Sequence, residues 1–141
     1  MRTIRIKHNK LYINRISVHF NYNIQEVIIM DSRVIVLLEI PMGVYETDNV
    51  YAVGLDGKIQ WQVQSRKELS EEYSKMSVLM PYVGMHIREK DNMLQVNDFS
   101  GGRYIFNPEN GYIIGRDTMG RDWWIFTIVS QYEDWEILTQ K

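Results

Sequence analysis

The stretch NVYAVGLDGKIQWQV, residues 49–63, decides the fold. Tyr51 and Val53 alternate with their neighbours, Asp56-Gly57 follows, and Ile59, Trp61 and Val63 then alternate with Lys58, Gln60, Gln62 and Gln64. Strand side chains point to opposite faces in turn, and Asp-Gly readily takes the positive φ that closes a hairpin. The segment therefore reads as strand, tight turn, strand, with Gly57 at positive φ. Ile59, Trp61 and Val63 are expected on one buried face and the lysine and glutamines on a wet one.

Residues 102–116, GRYIFNPENGYIIGR, echo this hairpin with one extra residue in the turn. Tyr51 aligns with Tyr104, Val53 with Phe106, Asp56 with Glu109, Gly57 with Gly111 and Ile59 with Ile113. The match suggests an internal duplication. Upstream, VIIM (27–30) and VIVLLEI (34–40) are apolar on both faces and too short and β-branched for good helices. They read as a central hairpin covered on both faces. Pro41 and Gly43 end it and open a loop over 41–48. Residues 82–89 and 93–98 repeat this earlier pair, with Asp91-Asn92 standing where Asp31-Ser32 stands.

The expected fold is mainly β: two four-stranded antiparallel meanders, about 24–64 and about 82–116, forming blades, a sandwich or an open barrel. A connector at 65–81 joins them. In it Ser65 and Glu68 suit a capping box, and Leu69, Tyr73 and Met76 make a helical stripe, so one short helix is expected. Residues 3–7 and 11–20 read as two N-terminal strands. In the C-terminal piece, 117–141, residues 122–129 read as a strand and 130–139 as strand or helix. At 141 residues the chain is expected to be one domain.

A chain this long can bury roughly 70% of its unfolded surface, so it needs no covalent staple. It has no cysteine, which excludes disulfides, a thiol nucleophile and zinc–thiolate sites. The formal charge of −2 argues against a binder of phosphate backbones, so nucleic acid is not an expected partner. The N-terminal stretch lacks the apolar core of a signal peptide, and no apolar run approaches the roughly 20 residues that cross a bilayer. No membrane partner and a cytoplasmic location are expected.

The pattern of Tyr51, Asp56, Gly57, Ile59 and Trp61 resembles the repeat of quinoprotein-like β-propellers. In that repeat an outer hairpin carries an aspartate–glycine turn and a tryptophan that packs between blades. The second copy keeps Tyr104, Gly111 and Ile113 but has Gly115 where Trp61 stands. The resemblance covers two blades, whereas a ring needs four to eight, so a closed ring with its axial quinone site does not follow from it. The Asp-Gly-x-Ile-x-Trp-Gln segment is also loosely similar to small bacterial proteins, some of them immunity partners of secreted toxins.

Chemistry-bearing motifs are scarce. His8, His19 and His86 share no metal-ligand spacing, and no serine sits in a nucleophile elbow. Ser100-Gly101-Gly102-Arg103 leads into a strand and not a helix, so it is a turn and not a phosphate loop. No catalytic, cofactor or metal site is expected, and the chain is not read as an enzyme. The segment that stands out is Gly115-Arg116-Asp117 followed by Gly120-Arg121-Asp122-Trp123-Trp124. Its bland reading is a turn with exposed ion pairs. Its sharper one is a protein-binding surface, since Arg and Trp are enriched in binding hot spots and two adjacent tryptophans on a strand must face opposite ways.

The favoured function is a non-catalytic protein-binding module. Its specific form would be an immunity protein that blocks a toxin domain, because an acidic chain is steered toward a basic partner. The alternative is a small-molecule binder with an apolar pocket between the meanders, lined by Trp61, Tyr104 and Phe106. An unpaired edge on each meander would also allow a homodimer.

Overall fold

The computed structural model describes residues 3–69 and 79–118. Three antiparallel sheets form there, each an up-and-down meander. The first holds β1 (Ile4–Lys7), β2 (Lys10–Ile13) and β3 (Ile16–His19). The second holds β4 (Ile24–Met30), β5 (Arg33–Leu38), β6 (Val50–Gly54) and β7 (Ile59–Gln62). The third holds β8 (Tyr82–Arg88), β9 (Met93–Asp98), β10 (Gly102–Phe106) and β11 (Ile113–Thr118).

The mainly β class and the antiparallel pairing agree with the sequence. The number of sheets does not: there are three, where two meanders are expected. The run 11–20 is broken by Asn14, which takes φ 55°. Its side-chain Oδ1 accepts a hydrogen bond from the Thr3 amide at 2.9 Å, and its own amide donates to the Thr3 carbonyl at 2.8 Å. One expected strand thus becomes two, and with β1 they make a sheet of their own. The helix expected between the meanders is corrected where the connector is described, at 65–69. Among the described residues the connector holds one turn of 3-10 helix, Arg66–Glu68, with the Ser65 hydroxyl accepting from the Lys67 amide. Tyr73 and Met76 lie outside the described residues, as do the C-terminal elements expected over 122–139.

The sheets stack with the second in the middle. On β5, Val34, Val36 and Leu38 face the first sheet and pack with Leu11, Ile13, Val18 and Phe20. Ile35 and Leu37 face the third and pack with Leu94, Val96, Tyr104 and Phe106. Of the hairpin expected to be covered on both faces, β5 is so covered, with all five of these residues buried, whereas β4 lies at the sheet edge and leaves Ile29 52% exposed. The described residues hold three packed sheets and no closed ring of blades, which corrects the propeller resemblance.

The duplication is visible in register as well as in sequence. In the second sheet Ala52 pairs with Trp61 and Val53 with Ile59, so a bulge falls between them. In the third, Ile105 pairs with Gly115 and Phe106 with Ile113, with the bulge at the same place. The first strands match too: β4 shifts register between Ile24 and Glu26, and β8 between Tyr82 and Gly84. The two bulges meet across the stack, where Gln25 Nε2 donates to the Val83 carbonyl at 2.8 Å. The β6–β7 bulge also corrects Ile59. The extra residue flips the alternation, so Trp61 and Val63 are buried while Ile59 is 51% exposed.

Gly57 sits at φ +82°, as expected, and a Cβ there would run into the side chain of Ile16 on β3. Gly57→Val should therefore strain the turn and push the first sheet away from the second. A loss of about 1–3 kcal/mol is expected in urea titrations. An unchanged midpoint would show that the first sheet does not rest on this turn.

Candidate functional site

Arg116 lies on β11 opposite Tyr104, and Asp117 opposite Arg103. Arg116 is half-buried in the sheet and not presented on a loop. Arg121, Asp122, Trp123 and Trp124 lie outside the described residues. Trp61, Tyr104 and Phe106, the expected lining of a ligand pocket, are all buried in the packed core between the second and third sheets.

The structure draws attention to a different place. An apolar groove of about 290 Å³ is lined by residues 40–45 on one side and by Leu79, Met80, Pro81, Val83 and Phe99 on the other. Met42, Tyr45 and Phe99 are 102%, 86% and 71% exposed. Large apolar side chains gathered this way on a surface mark a contact site, whereas scattered ones carry no message.

Local chemistry explains the loop. Pro41 has no amide hydrogen to continue the β5 ladder. Its carbonyl accepts from the Val44 amide at 3.1 Å, with Gly43 at φ +87°. The loop returns to the sheet at Asn49, whose fully buried amide replaces missing backbone pairs. Its Nδ2 donates to the carbonyls of Leu38 and Tyr82 at 2.8 and 2.9 Å, and its Oδ1 accepts from the Tyr82 amide at 2.9 Å.

Arg66 joins the walls of the groove. It is 0% exposed, unusual for an arginine unless it is paired. Nη1 donates to Asp98 Oδ2 at 2.9 Å, and Nη2 donates to the carbonyls of Thr47 at 3.0 Å and Met80 at 2.6 Å. Its guanidinium lies 4.3 Å from the ring centre of Tyr82 and 5.4 Å from that of Tyr104. Asp98 Oδ1 accepts from the Ser100 hydroxyl and the Gly102 amide, both at 2.8 Å. The 41–48 loop, residues 79–81 and the turn bearing Phe99 thus all hang on one cation. Burial pushes the Tyr82 phenol far above its ordinary pKa despite the opposing charge of Arg66, and its hydroxyl has no hydrogen-bond partner. No pattern in the sequence marks Arg66, since a buried arginine leaves no periodic signal.

A second, polar cleft of about 520 Å³ lies beyond the same loop, lined by Asp48, Gln62, Gln64, Ser65, Glu68 and Tyr112 among others. Its floor is the seam between the second and third sheets, where Gln64 Oε1 accepts from the Ile113 amide and the Gln64 amide donates to the Gly111 carbonyl, both at 2.9 Å. Burial raises the Asp48 carboxyl above its usual pKa; Arg66 opposes this, and Glu46 and Glu68 add to it.

Among the described residues no three His, Cys, Asp or Glu side chains gather as metal ligands. His8 lies in a turn at φ 56°, His19 on β3 and His86 on β8, each exposed. Among the described residues no helix is long and apolar enough to cross a membrane.

Residues 1–118 match the profile of a family described as a domain of unknown function (DUF7957). That match, and not one to quinoprotein-like propellers or immunity proteins, places the chain. No curated protein matches it.

Proposed function

We propose that this chain, which belongs to the DUF7957 family, is a non-catalytic protein-binding module that takes a large apolar side chain of a basic partner into the groove beside the 41–48 loop. The observation that carries the proposal is the exposure of Met42, Tyr45 and Phe99 around one concave surface. Residues 39–48 also carry Glu39, Glu46 and Asp48 and no lysine or arginine. An apolar centre with an acidic border suits an apolar anchor on a positively charged surface. A basic toxin domain is one partner of that kind. Arg66 supports the reading by fixing both walls before a partner arrives, which reduces the ordering cost of binding.

Met42→Asp and Phe99→Asp test it. Both side chains are exposed, so the melting temperature should not change. Each substitution should weaken a partner captured by the wild-type protein by about 2 kcal/mol or more. Equal retention of that partner by wild type and both variants would sink the proposal. So would self-association of the wild type alone in sedimentation runs, which would give the groove to a second copy.

A further inference from the structure

The formal charge of −2 conceals a segregation. Residues 1–25 hold five of the sixteen Lys and Arg and none of the eighteen Asp and Glu. The fold gathers most of these cations on the first sheet. Leu11, Ile13 and Val18 point inward to the core with the second sheet, so alternation places Lys10, Tyr12, Ser17 and His19 on the outer face. The register extends this face across all three strands. One row runs Arg5, Tyr12, Ser17 and the next runs Lys7, Lys10, His19. Arg15 stands exposed in the β2–β3 turn and His8 in the β1–β2 turn.

Lys7 and Lys10 face each other directly in the ladder, with His19 on the next strand. Like charges in opposed positions destabilise a sheet. Nothing on this sheet relieves them, since its first 25 residues contain no carboxylate, and among the described residues no ion pair involves Arg5, Lys7, Lys10 or Arg15. An arrangement that costs stability and lacks internal compensation is relieved by an external anion. In the middle of the face lies Tyr12, half-buried, with the Arg5 guanidinium 5.1 Å from its ring centre.

We propose that the outer face of the first sheet binds a single strand of nucleic acid, with Arg5, Lys7, Lys10 and Arg15 on its phosphates and a base stacked at Tyr12. Cations spaced along neighbouring strands track a phosphate backbone. An aromatic ring or a guanidinium plane in mid-sheet is a stacking platform. A single strand can offer base faces to that platform; a duplex keeps them stacked inside and is read through its grooves. Whole-chain charge, which led away from nucleic acid, averages this face with the acidic remainder of the molecule. The face uses none of the residues lining the apolar groove, so the two readings stand or fall separately.

The test is fluorescence anisotropy with labelled oligouridine and oligothymidine of about 12 nucleotides. Binding at about 50 mM salt should weaken about 50-fold by about 200 mM if four cations each contact a phosphate. Lys7→Glu/Lys10→Glu should abolish it, and Tyr12→Ala should weaken it about fivefold or more. Lys7→Gln/Lys10→Gln, which removes charge without adding any, should weaken it with an unchanged melting temperature and so guards against misfolding of the reversal. The proposal is overturned if neither oligonucleotide binds at low salt, or if the charge reversal leaves binding intact. It is equally overturned if Tyr12→Ala binds as wild type, which makes the face a general polyanion surface, or if vesicles rich in phosphatidylserine bind and oligonucleotides do not.

Discussion

Asp98→Ala should lower the unfolding free energy by about 3–5 kcal/mol, the usual result of leaving a buried charge without its partner. The Arg66 side chain is 0% exposed and cannot turn to water when the carboxylate is removed. The same change takes the acceptor from the Ser100 hydroxyl and the Gly102 amide. Removing the pair together has a different outcome. Arg66→Met/Asp98→Leu should recover part of the loss, because no buried charge then remains, although the Thr47 and Met80 carbonyls lose their donor. Urea titration of the three proteins checks both statements. A loss under about 1 kcal/mol for Asp98→Ala would mean that Arg66 finds water in solution, and that the groove walls do not depend on it.

Trp61→Ala should cost about 3–5 kcal/mol, as for other large buried aromatics. Trp61 is 8% exposed on the seam between the second and third sheets. Its Nε1 donates to the Pro108 carbonyl at 3.0 Å, in the turn of the duplicated hairpin. Gly111 packs so closely on the indole that a Cβ there would lie 2.6 Å from Cε3. Truncation therefore opens a cavity against a neighbour with no side chain to fill it, and leaves a carbonyl without its donor. Trp61→Phe should cost less, since the ring face on Gly111 is partly kept. A cost near zero for Trp61→Ala would show that the two sheets are held together elsewhere, at Asn49 and the Gln25–Val83 bond.

Much of the fold was legible because it depends on alternation and turn chemistry. The Asp56-Gly57 hairpin, its echo at 102–116 and the doubly covered β5 all follow from residue period and glycine placement. Two features escaped for physical reasons. Asn14-Arg15 turns the chain between two stretches that each keep a period of two, so the break shows only as a slip in phase, from Leu11 and Ile13 to Ile16, Val18 and Phe20. The β6–β7 bulge adds one residue to a strand without changing its composition, and Ile59 consequently faces solvent. The candidate site was scarcely legible at all. Arg66 is polar and buried, while Met42, Tyr45 and Phe99 are apolar and exposed, so each reverses the guide that composition offers. The basic face was hidden because summing charge over the whole chain erases where the fold puts it.

The doubly buried central strand also sets how this protein can vary. Each of the five side chains from Val34 to Leu38 fills one of two cores, so a polar replacement at any of them damages an interface between layers. Tolerance for change is pushed outward, to the outer face of the first sheet. A domain built this way can acquire new surface chemistry on an outer layer while its middle layer stays fixed. The acidic body and the basic first sheet of this chain are what such a division permits.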